Sequence, residues 1–158
     1  MQIEYKKFID PIFGEVIISY HKGKLCGLGL SHDPSFLERH FKKCAFLEND
    51  SLETPDLTKW PSHDFDIDQF ELIGTDLQKS VWRVLFQIPA GETRTYQEVA
   101  ELAGNPKAIR AAASAVGRNP ISVIIPCHRV ISKSGRPDLF GWGADKKRQL
   151  LAREGVTI

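Results

Sequence analysis

The sequence predicts an α+β protein, α/β in the broad sense. A small N-terminal antiparallel sheet carrying one helix comes first, then a mainly helical C-terminal domain containing a helix-turn-helix. Three observations predict this. Apolar runs of strand length crowd residues 2–30. Two capping boxes open amphipathic helices after Gly74. A polar stretch over 48–62, with Pro55 and Pro61, separates the two patterns and fits neither period. The expected domains are 1–70 and 71–158, and 158 residues suffice for one compact unit or two small ones.

In the first half, residues 2–8, 16–20 and 25–30 read as strands. His21-Lys22-Gly23-Lys24 reads as the turn between the last two, with Gly23 free to take a positive φ. Asp33 is a candidate N-cap and Pro34 a first helical position. Phe36, Leu37, His40 and Phe41 follow at helical spacing. Phe65, Ile67, Phe70 and Leu72 predict one more short strand before Gly74.

The second half opens on Thr75-Asp76-Leu77-Gln78, a capping box, and the apolar stripe Leu77, Val81, Trp82, Leu85 and Ile88 follows. A second box, Thr95-Tyr96-Gln97-Glu98, starts a helix carrying Val99, Ala100 and Leu102. Gly104 stops it, and Asn105-Pro106 is expected to open the next helix, over 107–117. Helix, short turn with Gly, helix is the helix-turn-helix pattern, although many helical hairpins share it. The third helix is nearly smooth, with Ala108, Ala111, Ala112, Ala113, Ser114 and Ala115, and Arg110 and Arg118 flank residues 111–115. Such a surface suits either tight core packing or close approach to a groove.

Composition excludes several classes. Apolar residues make up 42% and charged residues 26%, so neither disorder nor a coiled coil dominates. No run approaches a membrane span, and the first residues lack the apolar core of a signal peptide. Three cysteines without a C-x-x-C suit a reduced, cytoplasmic protein. His21, Cys26, His40 and Cys44 match no zinc spacing, so no metal and no cofactor is expected. Residues 1–74 hold 8 basic and 13 acidic side chains, residues 75–158 hold 13 and 7. The basic half is the one suited to phosphates.

The chemistry concentrates in Asn119-Pro120-Ile121-Ser122-Val123-Ile124-Ile125-Pro126-Cys127-His128-Arg129-Val130. Pro126 breaks the apolar run and places Cys127 beside a base and a cation, neighbours that favour thiolate. An activated nucleophile needs a sulfur, a base and a group that orients the base. His128 is the base candidate, although adjacent side chains on extended backbone diverge, so a turn or a bridging water is needed. Glu154, at the end of a helix over 146–154 that Gly155 terminates, is the orienting carboxylate. From spacing alone, a structural cysteine remains equally open.

Ile125-Pro126-Cys127-His128-Arg129-Val130, Gly104-Asn105-Pro106-Lys107-Ala108-Ile109-Arg110, Gly117-Arg118-Asn119-Pro120, Thr95-Tyr96 and Gly74-Thr75-x-x-Gln78-x-x-Val81-Trp82 together resemble the 6-O-alkylguanine-DNA alkyltransferases. The resemblance is specific over 74–131, extends to Gly155 and is weak before residue 70. It implies direct reversal of DNA damage: an alkyl group passes irreversibly from O6 of guanine to Cys127, with O4 of thymine left open as a second source of the group. By the same resemblance His128 is a water-mediated base and Glu154 orients it. Asn119 bridges the turn and the active-site segment. Tyr96 helps extrude the nucleotide and donates a proton toward guanine N3. Arg110 enters the duplex in place of the flipped base, and the face around Ala111, Ala112 and Ala115 lies in the minor groove. Thr95, Arg118 and Arg129 complete the expected DNA contacts. The partner so implied is double-stranded DNA carrying alkylated guanine, met by a monomer with no membrane contact.

One loop departs from the pattern. The family's Gly-Tyr-x-Gly-Gly-like loop reads Leu139-Phe140-Gly141-Trp142-Gly143 here. Phe140 lacks the hydroxyl, Gly141 offers no side chain to the guanine oxygen, and Trp142 is either a pocket wall or an ordinary packed aromatic. Three other readings remain open. A non-catalytic binder of alkylated DNA would lack Cys127. A helix-turn-helix regulator would carry polar base readers where the alanines stand. A cysteine hydrolase would need an oxyanion hole and would turn over repeatedly.

Overall fold

The computed structural model describes residues 1–134 and 140–158. Leu139, the first residue of the divergent loop, therefore lies outside the described residues. The chain divides into two compact units. One is Met1–Ile73 with Pro120–Ser122, the other Gly74–Asn119 with Val123–Ile158.

The first unit is built on strands β1 (Gln2–Asp10), β2 (Gly14–His21), β3 (Lys24–Gly29) and β4 (Ala45–Glu48), with helix α1 (Ser35–His40) between the last two. The strand order is β3-β2-β1-β4. The β2–β3 hairpin turns on Lys22 and Gly23, whose φ values are +51° and +79°. Both central residues left-handed is the turn whose twist matches the strands it joins. Val16, Ile17, Ile18 and Ser19 are all inaccessible, so β2 is covered on both faces. Phe36, Leu37 and Phe41 of the α1 segment are buried as expected. Asp33 does not cap the helix end directly. Its Oδ1 accepts from the Ser35 N–H at 3.0 Å, and Pro34 occupies the N-cap position.

Two expectations are corrected here. The sheet is mixed rather than antiparallel, because β4 pairs parallel with β1, from Gln2↔Ala45 to Tyr5↔Glu48. The chain leaves β3, passes through α1 and enters the far edge, and a strand reached by a crossover can run parallel. The second correction concerns 65–72, which forms no strand. A 3-10 turn, Ile67–Gln69, sits there with a capping box of its own on Asp66 and Gln69. Only Phe70 makes an isolated bridge, to Leu25. Within the same unit, the Leu28 N–H donates to Pro120 O at 2.8 Å and the Ser122 N–H donates to Leu28 O at 3.0 Å.

The second unit contains α2 (Asp76–Phe86), β5 (Arg94–Thr95), α3 (Tyr96–Leu102), α4 (Ile109–Gly117), β6 (Val130–Ile131) and α5 (Ala144–Arg153). Both capping boxes form as expected, Thr75 with Gln78 and Thr95 with Glu98. Helices α2, α3 and α4 pack on one another. The Trp82 indole lies against α4, its Nε1–H donating to Ala115 O at 2.8 Å. Small residues on the inner face of α4 admit that ring, and Ala112, Ala115 and Val116 are buried there. Gly104, at φ +82°, closes α3 in a Schellman motif: its N–H donates to Glu101 O and the Asn105 N–H to Ala100 O. α4 then opens at Ile109 rather than at 107. Asn105 O accepts from the Ala108 N–H and the Asn105 side chain donates back to Ala103 O, which extends the turn at the expense of the helix. No helix among the described residues is long and apolar enough to cross a membrane.

Two glycines of this unit give opposite predictions. A Cβ at Gly74 would meet the Trp82 ring at 2.6 Å and Gln78 Oε1 at 2.7 Å, and that ring is buried and held. Gly74→Ala is expected to cost about 1–3 kcal/mol, the range for overpacking. A Cβ at Gly117 meets nothing within 4 Å, at a helical position. Gly117→Ala is expected to stabilise by about 0.4–1 kcal/mol by restricting the unfolded chain. Urea unfolding of both checks this, and equal effects would contradict the assigned packing of Trp82.

Candidate active site

A two-strand ladder sets the geometry. β5 runs straight into Tyr96, and β6 follows directly on a 3-10 turn, Cys127–Arg129. β5 and β6 pair parallel, Arg94↔Val130 and Thr95↔Ile131, which registers the start of α3 against the cysteine turn. That turn is prepared upstream. Val123 holds a φ of +62° although it is β-branched and buried. Such a conformation persists only where its surroundings over-determine it. Pro126, at φ −82° and ψ 67°, makes an inverse γ-turn, with the Cys127 N–H donating to Ile125 O at 2.8 Å. The Asn119 side chain locks this shape: its Nδ2–H donates to Ile125 O at 2.7 Å, and the same side chain hydrogen-bonds the Cys127 sulfur.

α5 supplies the carboxylate. It ends in a Schellman motif at Gly155, φ +82°, with the Val156 N–H on Leu151 O, and this fixes Glu154 at the C-cap. The Glu154 side chain is fully buried. Its Oε2 accepts from His128 Nε2 at 2.7 Å and from Arg129 Nη2 at 3.0 Å, and its Oε1 accepts from Arg129 Nε at 2.8 Å. Arg129 Nη1 donates to Ile88 O at 2.6 Å. Two parallel bonds from one guanidinium are the strong form of this pair. Burial alone would raise the Glu154 pKa, but the bonds from His128 and Arg129 outweigh it and hold the carboxyl below its usual range.

Two consequences follow for proton positions. An ionised carboxylate only accepts, so His128 Nε2 carries the hydrogen and the basic lone pair lies on Nδ1. Burial pushes the imidazole pKa down, against the pull of Glu154, so the ring is neutral near pH 7. The Cys127 thiol is pushed up by burial, with the Asn119 hydrogen bond and the Lys147 charge opposing. This corrects the expectation that His128 and Arg129 would favour thiolate. One is neutral and the other spends its charge on Glu154.

Cys127, His128, Glu154 and Asn119 thus converge, and Tyr96 is buried at the head of α3. Thr95 serves as the α3 N-cap, its hydroxyl accepting from the Glu98 N–H at 3.2 Å. Arg129 is corrected as a DNA contact: only 3% of it is accessible, and its guanidinium faces Glu154. Ala112 and Ala115 are corrected too. They point into the core, and the outward face of α4 is Arg110, Ala111, Ser114 and Gly117, with Arg118 at its end. Phe140 and Trp142 are half-buried and Gly141 is exposed in the turn before α5, where the Gly143 N–H donates to Phe140 O at 3.1 Å.

Sequence reasoning missed Lys147. It is fully buried, on the same face of α5 as Leu150, Leu151 and Glu154. Its spacing of three, four and seven residues from those three was the available signal. Cys26 is also buried, bonded to Ser19 Oγ at 3.5 Å, and burial pushes its thiol up to about 12, which makes it inert. Among the described residues no group of three or more His, Cys, Asp or Glu side chains could hold a metal.

Residues 76–156 match the model of the 6-O-methylguanine DNA methyltransferase DNA-binding domain. Over 91 residues the chain is 50% identical to the methylated-DNA–protein-cysteine methyltransferase of Mycolicibacterium paratuberculosis, covering 58% of this chain and 54% of that protein. The chain spans about half the length of the curated relatives it matches. The crystal structure of the O6-methylguanine methyltransferase of Mycobacterium tuberculosis is similar across both units, at 33% identity and a TM-score of 0.76, covering 96% of this chain and 92% of that one. The crystal structure of Mycobacterium tuberculosis OGT in complex with DNA matches with a TM-score of 0.73 and 32% identity, covering 96% and 92%. With its α+β fold, its buried cysteine turn and a family model matched over half its length, the chain belongs to the 6-O-methylguanine DNA methyltransferase family.

Proposed function

We propose that the protein repairs DNA by taking an alkyl group from O6 of guanine onto the sulfur of Cys127, once per molecule. The observation that carries this reading is the Cys127 thiol, held by Asn119, beside a neutral His128 whose tautomer a buried Glu154 fixes. In the reaction His128 Nδ1 takes the thiol proton through a bridging water. The thiolate attacks the alkyl carbon, an S–C bond forms, and the C–O6 bond breaks with its electron pair passing to guanine. The Tyr96 hydroxyl supplies a proton toward guanine N3, which makes the base a better leaving group. The thioether product has no ready route back, so turnover stops at one.

The base must leave the stack to reach a buried sulfur, at a cost of about a few kcal/mol. Arg110, exposed at the start of α4, fills the gap in this reading. Ala111, Ser114 and Gly117 give the helix a small-residue outer face suited to a minor groove, and Arg118 and Lys107 add charge for phosphates. Such a face carries little base readout, so binding is to duplex DNA without sequence preference, by a monomer working in the cytoplasm. α3 and α4 act as the helix-turn-helix of this reading. Its solved relative named as a complex with DNA supports the same partner.

The direct test is intact mass after incubation with DNA containing O6-methylguanine. The gain of one CH2 unit on the peptide holding Cys127 is expected, with none in Cys127→Ala, which still binds DNA. A gain on Cys26 or Cys44 would sink the assignment. Arg110→Ala is expected to slow transfer from duplex DNA at least tenfold while leaving transfer from a free alkylguanine base nearly unchanged. Equal slowing of both would move Arg110 into the pocket. Glu154→Gln is expected to slow both substrates, because it disturbs His128 in either case. It should also cost about 3–5 kcal/mol in urea unfolding, the range for leaving a buried charge such as Arg129 uncompensated. Parent-like rates with the free base would show that His128 does not depend on Glu154.

A further inference from the structure

The first unit holds a cavity of about 250 Å3 between the β2–β3 hairpin and the chain that follows β4. Tyr20 and Leu25 wall it on the hairpin side, Glu53, Thr54, Phe65 and Phe70 on the other. These walls are tied to one another within the fold. The Tyr20 hydroxyl donates to Glu53 O at 2.8 Å, and the Glu71 N–H donates to Leu25 O at 2.9 Å. The Phe65 and Phe70 rings meet at 5.8 Å with a tilt of 54°. None of these residues enters the alkyl-transfer reading.

The lining selects one chemistry. Three of its side chains are aromatic, and ring faces attract cations. Among the described residues, Glu53 is the only charged side chain that lines the cavity, and its carboxylate makes no hydrogen bond or ion pair with any of them. The surrounding chain adds to the same field. Residues 48–71 hold eight acidic side chains against one lysine, Lys59, which Asp64 pairs at 2.6 Å. Lys24, next to Leu25 in the chain, donates to Asp68 O at 3.4 Å. Such a field repels anions and concentrates cations. At about 250 Å3 the cavity is smaller than the usual ligand site of roughly 300–1,000 Å3, so it admits one ion of side-chain size.

We propose that this cavity binds a guanidinium group. A guanidinium lies flat on an aromatic face and turns two parallel N–H donors to one carboxylate, here that of Glu53. A lysine ammonium is a compact point charge and forms no such pair, and a quaternary ammonium would leave the Glu53 oxygens without donors. An arginine within a protein segment and a free guanidinium compound both carry this chemistry. The proposal is independent of the alkyl-transfer reading.

The test follows backbone amide shifts of the isotope-labelled protein titrated with N-acetyl-arginine amide, with its neutral isostere N-acetyl-citrulline amide and with N-acetyl-lysine amide. The arginine compound is expected to give saturable shifts at millimolar concentration, centred on Tyr20, Gly23, Leu25 and Phe70. The lysine compound is expected to bind about tenfold more weakly, and citrulline not at all. Glu53→Gln, at an exposed position whose carboxylate makes no bond within the fold, is expected to weaken arginine binding about tenfold or more. Phe65→Leu keeps bulk, removes the ring and is expected to weaken it severalfold. Unchanged affinity in Glu53→Gln, equal binding of citrulline or of lysine, or shifts scattered over the molecule overturns the proposal. So does the lack of saturable shifts with the arginine compound. A glycine-flanked arginine peptide separates the two sources, and both of its outcomes support the guanidinium site. Binding at least as tight as that of the amide assigns the cavity to a protein partner. Exclusion of the peptide while the amide binds assigns it to a free guanidinium compound.

Discussion

The buried carboxylate of Glu154 is the interaction on which the rest of the site depends. It accepts from His128 and twice from Arg129, and its side chain has no exposure to water. A lone charge so placed would cost several kcal/mol, and the bidentate guanidinium offsets that cost. Once it is ionised, everything downstream is fixed. The His128 hydrogen must sit on Nε2, its lone pair must sit on Nδ1, and the Arg129 charge is not available to solvent. The clamp also joins three segments of the second unit: the end of α5, the cysteine turn and, through Ile88 O, the segment that follows α2.

The thiol illustrates the competition between burial and charge. Burial disfavours thiolate, and the neighbours that sequence proximity suggests do not reverse it. Asn119 and Lys147 lean the other way, one by a hydrogen bond and one by its field. A nucleophile kept as thiol until a base removes its proton is protected from casual oxidation, since the thiolate is the reactive form. For a protein proposed to act once, that protection preserves its single equivalent.

Local chemistry was legible in the sequence and tertiary phase was not. Both capping boxes formed, because Thr75 and Thr95 need only residues three positions away. Gly104 and Gly155 stop their helices for an equally local reason. β4 was missed because four residues with one half-buried aromatic, Phe46, carry no measurable alternation. Residues 65–72 looked like a strand because Phe65, Ile67, Phe70 and Leu72 are apolar, but Asp66 and Gln69 close a turn of their own. On α4 the composition was readable and the facing was not: Ala111 is outside while Ala112 and Ala115 are inside, a difference one residue of phase decides. Arg129 sits in a motif that reads as cationic chemistry, yet its partner lies 25 residues away. Lys147 was hidden because lysine is taken as surface by default. The convergence of Cys127, His128, Asn119 and Glu154 was foreseen through the family resemblance, which spacing alone would have left undecided.

The central claim is that Glu154 holds His128 as the neutral, Nε2-protonated tautomer. Long-range nitrogen–proton correlation spectra of the imidazole across pH 6 to 8 test it directly. One protonated nitrogen, Nε2, and one pyridine-like nitrogen, Nδ1, are expected at pH 7 and above. An imidazolium at pH 7, or a hydrogen on Nδ1, would contradict it.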